Sequence, residues 1–196
     1  MYGYSTATET CQVDTTEQRH LHTTQVSIKM TIDGTDVQKL SSAVEYLLDQ
    51  QSFSNTVERL KGELAESAET FVWATVELDS IPRELPAGIR SCWIFHLRKD
   101  VPSGAHYHPN SVQHMVLVSG QGTSNVGGIR RAMNPFTSPD HSHADKWLII
   151  GEGIPHEFTP KREDMTVVSF HTCDASELEE IECETGGTRL YEGPDS

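Results

Sequence analysis

The spacing of apolar residues changes near residue 66, and this change divides the chain. Before it, apolar side chains recur every three or four residues, which is the period of an amphipathic helix. They are Val37, Leu40, Val44, Leu47 and Leu48, followed by Val57, Leu60 and Leu64. The pattern predicts two helices between residues 35 and 65 that cover the main fold or form a subunit contact.

After residue 66 the apolar residues gather in short segments rich in aromatic and β-branched side chains, with Gly and Pro between them. The segments are 71–78, 89–97, 115–118, 147–150 and 165–171, with shorter ones at 124–126 and 157–159. Many short strands with frequent turn residues favour an all-β barrel or sandwich. The polar segment 134–145, which contains His141 and His143, interrupts the series. We interpret it as a surface loop, with a lid over the barrel mouth as the alternative.

These patterns divide the chain into four parts. Residues 1–27 are expected to form a flexible arm, 28–68 a helical extension, 69–174 the β-barrel and 175–196 an acidic tail. The last part begins with five glutamates between residues 177 and 184, which predicts a solvated surface.

Composition narrows the classes of function. A net charge of −14 argues against nucleic acid and against anionic membrane surfaces as partners. The sequence contains no apolar run near the roughly 18–20 residues that span a bilayer, and its first residues do not resemble a secretory signal. The four cysteines show no CxxC spacing, so we expect thiols in a reducing compartment and a cytoplasmic protein.

Three histidines are the candidate metal-binding residues of the sequence. His106 and His108 are two residues apart, which places both side chains on the same face of a strand. His156 lies about fifty residues later and closes a Gly-x-Gly-x-x-His segment that begins at Gly151. Three imidazoles that converge inside a barrel form a site for a divalent transition metal. A second HxH pair, His20 and His22, lies in the arm without a strand around it and is a weaker candidate.

The spacing around these histidines resembles the two motifs of the cupin superfamily, over about residues 88–172. The first cupin motif continues from HxH to a glutamate and, after six residues, a glycine; here Gln113 takes the glutamate position and Gly120 follows. The second is Pro-x-Gly-x-x-His; here Gly151 replaces the proline, and Pro160 replaces an asparagine that usually follows the histidine. The resemblance implies an all-β jelly-roll barrel, here with an N-terminal α-helical extension.

In that scheme His106, His108 and His156 are metal ligands and Gln113 is a possible fourth. The alternative for Gln113 is a hydrogen bond to a metal-bound water or to substrate. An amide in place of a carboxylate leaves a divalent ion with about one more positive charge, which strengthens its attraction for anions. Imidazole ligands allow Fe, Zn, Mn, Ni or Cu. Fe(II) is favoured because three-histidine cupins that resemble thiol and diketone dioxygenases use it.

Other histidines lie near the motifs. His96 and His171, on flanking strands, are candidate catalytic residues that orient a ligand or move a proton, together with Gln113. The alternative for both is a hydrogen-bonded histidine with a structural role. His114 follows Gln113 directly and is expected to point to the opposite face.

The residues and the resemblance together predict a metal-dependent cupin enzyme, an Fe(II) oxidoreductase of the dioxygenase type. Its expected substrate is a small organic molecule, either neutral or anionic. One alternative is an isomerase or lyase that uses Zn, Mn or Ni. The other is a non-catalytic barrel that binds a small molecule. A homodimer is expected, because cupins commonly pair and the helices offer an apolar face.

Overall fold

The computed structural model describes residues 34–191, so the proposed arm, including His20 and His22, lies outside the described residues. Two helices, α1 (Gly34–Leu48) and α2 (Gln51–Glu66), open the described chain and confirm the helical prediction. Their apolar stripes are buried, with Leu40 and Leu60 fully covered. No helix in this part of the chain has the length and apolar character needed to cross a membrane.

Eleven strands follow in the described region, with a one-turn helix α3 (His143–Lys146) before the seventh. They are β1 (Phe71–Val76), β2 (Ser91–Leu97), β3 (His106–Tyr107), β4 (Gln113–Ser119), β5 (Gly122–Val126), β6 (Ile129–Ala132), β7 (Trp147–Ile150), β8 (His156–Pro160), β9 (Met165–His171), β10 (Glu179–Glu182) and β11 (Thr188–Leu190).

The strands form two antiparallel sheets, in the orders β1-β2-β9-β4-β7 and β11-β10-β3-β8-β5-β6. The pairings are nested: β5 pairs with β6, β4 with β7, β3 with β8 and β2 with β9. Eight strands thus form one long hairpin whose arms alternate between two facing sheets, which is a jelly roll. The fold predicted from the strand pattern and the two motifs is confirmed.

Two apolar layers hold these elements together. The inner layer lies between the sheets and includes Trp93, Phe95 and Met115. The outer layer lies between helices α1 and α2 and the five-stranded sheet, and includes Leu40 and Val168. Because both faces of β2 and β9 are covered, every residue of these two strands is buried. Burial in this sheet therefore does not by itself mark a residue as part of the barrel interior.

The acidic segment is the main departure from the sequence-based expectation. Residues 179–182 form β10, which pairs with β3 on one side and with β11 on the other. The expectation of a solvated tail is wrong for these residues, because their backbone extends the second sheet and Glu180 is only 2% exposed. Segment 134–145 is mostly exposed, as expected of a surface loop, and contributes none of the residues that line the interior pocket.

Candidate metal centre

Three histidine side chains meet between the two sheets. His106 on β3 and His156 at the start of β8 are register partners, and His108 follows β3 by one residue. One ring nitrogen from each lies within 4.8 Å of those of the other two, and all three residues are buried. The structure thus brings together the three residues that the motif spacing selects.

Backbone carbonyls fix the orientation of all three rings. The Nδ1 atoms of His106 and His156 each donate to a carbonyl two residues earlier, that of Gly104 and that of Ile154, at 2.9 Å in both cases. Nδ1 of His108 donates to the carbonyl of Glu179 on β10 at 2.7 Å. A ring that donates through Nδ1 carries its lone pair on Nε2 when it is neutral, which is the form that binds metals.

Burial keeps two of these rings neutral. It lowers the pKa of His108 to about 4, with a further contribution from the nearby His106. Burial also lowers the pKa of His156 well below its ordinary value. Nε2 of His156 is buried and has no hydrogen-bond partner. A buried polar atom without a partner is costly, and a bound ion removes that cost.

Gln113, at the start of β4, points into the same space. Its Nε2 donates to the Ser169 hydroxyl at 3.0 Å, while its Oε1 is buried and has no partner. The amide is therefore held with its acceptor free for a metal ion, a water molecule or a substrate donor group. Both roles considered for Gln113, as a metal ligand or as the hydrogen-bond partner of a water molecule or substrate, use this Oε1 atom.

His171 lies behind this amide. Its Nε2 is 2.9 Å from the Ser169 hydroxyl and its Nδ1 is 3.1 Å from the Ser111 hydroxyl. The ring is fully buried and its centroid lies 5.2 Å from that of His108. Burial keeps the pKa of His171 well below its ordinary value. His171 thus supports Gln113 and the histidine cluster through Ser169, in the position that the sequence suggested, and its catalytic role stays a prediction.

His96 does not belong to this site. Its Nδ1 is 2.9 Å from the Thr166 hydroxyl and its Nε2 is 3.7 Å from an Asp164 carboxylate oxygen. Neighbours of His96 on β2, Phe95 and Leu97, line the pocket, so His96 occupies the opposite face, toward α2. The prediction that His96 reaches the pocket is wrong, because the strand alternation turns it toward the helical layer. His114 faces the same outer layer, as expected.

Glu180 is the site residue that the sequence analysis missed. Its Oε2 lies 3.5 Å from Nε2 of His106, and the residue is 2% exposed. Oε2 also accepts a hydrogen bond from the Tyr191 hydroxyl, and Oε1 lies 3.3 Å from the Arg189 guanidinium. A buried carboxylate therefore lies beside the histidines and can offset the charge of a bound ion, whereas the sequence analysis considered only the amide of Gln113.

A small pocket that is open to solvent at its mouth lies beside the histidines. Half of the residues that line it are apolar: Phe71, Phe95, Leu97, Met115, Phe158 and Val167. Its polar groups are Ser103, His106, His108, Gln113, Glu180 and Tyr191. An apolar chamber with a few converging polar groups is the usual form of a small-molecule site.

The donor set fits a divalent transition metal. The three imidazoles come from β3, from the residue that follows it and from β8. Their outer nitrogens donate to backbone carbonyls, and at least one inner nitrogen lacks any partner. Three protein nitrogens leave coordination positions open, as catalytic sites require. The described residues thus contain a site that can hold a metal ion, and imidazole ligands do not select one metal among Fe, Zn, Mn, Ni and Cu.

No family model matches the sequence, and no curated protein matches it. Solved structures resemble parts of it. Salicylate 1,2-dioxygenase from Pseudoaminobacter salicylatoxidans is 10% identical over 61% of this chain and 32% of its own, with a TM-score of 0.47. An oxalate oxidase bound to glycolate is 10% identical over 64% of this chain and 57% of its own, with a TM-score of 0.42. Vicilin from tomato is 16% identical over 47% of this chain and 24% of its own, with a TM-score of 0.39.

The matched regions span only about a quarter of the vicilin and just over half of the oxalate oxidase. At these identities and overlaps the likenesses carry no argument about activity or ligands. The fold is established instead by the strand order of this chain, and the site by the position of its motif histidines. The nested pairing of β2 to β9, with the histidines of both motifs turned inward between the sheets, is the jelly-roll arrangement that the resemblance to the cupin motifs implied.

Proposed function

We propose that the protein is a metal-dependent oxidoreductase of the dioxygenase type that holds Fe(II) on His106, His108 and His156. The observation that carries this proposal is the convergence of three buried imidazoles, one with an unpartnered nitrogen, at the end of an apolar pocket. A purely structural cluster has no need of an adjoining chamber. Fe(II) at such a site supplies redox chemistry toward oxygen and an organic substrate.

The side chains of this chain have separate tasks in that scheme. The three histidines hold the ion, and their backbone partners keep each ring in place. The free Oε1 of Gln113 accepts a hydrogen bond from a substrate or water donor group. The apolar wall excludes water, which strengthens every polar contact inside the chamber.

The walls and charges of the pocket narrow the substrate class. Phe71, Phe95 and Phe158 support a small organic molecule with an apolar body. The carboxylate of Glu180 disfavours a substrate with several negative charges, although one anionic group remains compatible with a divalent cation. We therefore propose a small, largely apolar substrate with at most one anionic group.

The test is oxygen uptake by protein loaded with Fe(II), with a panel of small thiols, diketones and carboxylic acids. We expect uptake that requires both Fe(II) and an organic substrate, that is lost in His106→Ala and that is retained in His114→Ala. His114 is a matched control because it lies one residue beyond Gln113 but faces the outer layer. Substrate turnover without oxygen, in protein loaded with Zn(II) or Mn(II), would contradict the dioxygenase proposal.

That outcome would support the second candidate, a metal-dependent isomerase or lyase using Zn, Mn or Ni. The buried hydrogen-bond chain from Gln113 through Ser169 to His171 supports it. Isomerases and lyases need a group that moves a proton, and this chain connects the pocket to the imidazole of His171. Binding of a panel compound without turnover under either condition would indicate a non-catalytic binding barrel. Dimerisation and a cytoplasmic location stay predictions.

A further inference from the structure

We propose that Glu180, a residue of the C-terminal strand β10, is the carboxylate ligand of the metal centre, in place of the motif residue at position 113. This inference depends on the proposed metal site, since it adds a ligand to the three histidines. It makes the protein donor set three imidazoles and one carboxylate, assembled from strands on both sides of β3.

The first ground is the contact between Glu180 and His106. Because Nδ1 of His106 donates to the Gly104 carbonyl, its Nε2 carries a lone pair in the neutral ring. Oε2 of Glu180 lies 3.5 Å from that nitrogen. Two acceptors that face each other in a buried space require a cation or a proton between them. A metal ion on the three histidines is the cation that this position suits.

The second ground is the way in which β10 enters the site. The Glu179 carbonyl orients His108, while the next side chain along the same strand faces His106. One dipeptide of β10 therefore contacts two of the three proposed ligands. Its pairing with β3, through Ile181 and Tyr107, fixes this arrangement.

The third ground is the fixed geometry of the carboxylate. The Tyr191 hydroxyl donates to Oε2, and the Arg189 guanidinium lies 3.3 Å from Oε1. A carboxylate offers about four lone-pair positions, so these contacts leave capacity on Oε2 toward the histidines. Burial and the adjacent carboxylate raise the pKa of Tyr191 well above its ordinary value, which keeps this hydroxyl a donor.

The fourth ground is charge. Three neutral imidazoles and an amide leave a divalent ion uncompensated in a buried chamber, which is costly. A carboxylate ligand from β10 lowers the net charge to about +1. Gln113 then keeps its free Oε1 for a water molecule or substrate, which agrees with the hydrogen bond of its amide group to Ser169.

The experiment measures Co(II) binding by competition with a chelator and records the d–d absorption bands of the bound ion. Wild type, Glu180→Gln, Glu182→Gln and His106→Ala are compared. Glu182 is the matched control, because it lies on the same strand, pairs with His106 in register and contacts the same Arg189 at 3.8 Å. Its side chain is 43% exposed, so it shares the charge of Glu180 without the burial.

We expect Glu180→Gln to weaken Co(II) binding by at least about 100-fold and to change the d–d bands, while Glu182→Gln changes affinity less than threefold. Loss of an outer hydrogen-bond partner costs about 10–100-fold without changing the ligand set. Unchanged affinity in Glu180→Gln, or weaker binding with unchanged d–d bands, would therefore overturn the ligand assignment. If His106→Ala binds Co(II) as wild type does, the metal site itself is wrong, which is a separate failure.

A crystal structure of the Zn(II)-loaded wild type decides the question if Glu180→Gln does not fold. A Glu180 oxygen at about 2.0–2.2 Å from the ion supports the proposal. An ion on the histidines with the carboxylate outside bonding distance overturns it.

Discussion

Replacement of His106 by alanine should remove the metal from the protein. His106 supplies one of three converging nitrogens, and its ring centroid lies 4.3 Å from that of His156 and 5.4 Å from that of His108. Structural zinc sites with four ligands bind with about 10–16 kcal/mol, which corresponds to about 2.5–4 kcal/mol for each ligand. Since about 1.4 kcal/mol is a factor of ten, loss of one ligand should weaken binding by roughly 10²–10³-fold.

The assay is metal analysis of protein purified without a polyhistidine tag or chelator, followed by competition titrations. We expect about one transition metal ion per chain in wild type and in His114→Ala, and strong loss of it in His106→Ala. The stoichiometry matters because His20 and His22 form a further HxH pair in the same chain. Full metal content in His106→Ala, with a cooperative unfolding transition that shows the variant is folded, would refute the ligand assignment.

Two further predictions concern stability. The stability of the metal-free protein should fall between pH 7 and 4, because burial lowers the pKa of His108 to about 4 and the unfolded chain binds the proton first. The contribution of His108 alone, from its ordinary pKa of about 6.5 down to about 4, is about 3 kcal/mol. Urea unfolding measures it, and a flat profile would contradict the assigned burial. Gly120→Ala should destabilise more than Gly128→Ala, although both glycines have positive φ, at +89° and +83°. A Cβ on Gly120 would lie 2.4 Å from the Asp164 carbonyl oxygen, whereas one on Gly128 meets nothing within 4 Å, so equal thermal shifts would refute the packing described.

Much of the fold and three of the site residues could be predicted because they depend on local periodicity. Alternation places His106 and His108 on one face of an extended segment, and the glycine-punctuated segments mark where strands end. The pairing of β3 with β8 could be predicted only from the resemblance to cupin motifs, because nothing local in the sequence links His106 to His156.

The role of β10 could not be obtained in this way. A segment with five glutamates has the composition of a solvated surface, and its apolar Ile181 is more exposed than its buried Glu180. Burial of a carboxylate is decided by distant partners, Tyr191 and Arg189, that satisfy it. One signal was present: Gly186 and Gly187 stand between two short segments, as in a hairpin turn.

His96 illustrates the opposite error. Its position on an apolar strand beside the motif suggested a place near the site, yet alternation along β2 assigns it to the face of Cys92 and Ile94. Only the packing of α2 on that sheet explains why a histidine on the outer face is buried, since Coulombic contacts with Lys61 and Glu58 reach it from the helix. Because α2 covers the outer face of β2, both faces of this strand are buried, and burial alone does not identify the face that points into the barrel.

Nested strand pairing also bears on the order in which parts of the barrel can form during folding. The innermost hairpin, β5 with β6, closes through the turn at Gly127 and Gly128, whereas β2 and β9 join residues 91 and 171. Contacts between distant residues form slowly because loop closure must precede them. His106 and His156, fifty residues apart, are register partners, so we expect them to meet after the inner hairpins have formed. A metal ion that binds these histidines would then bind late in folding, because the unfolded chain offers no preassembled site.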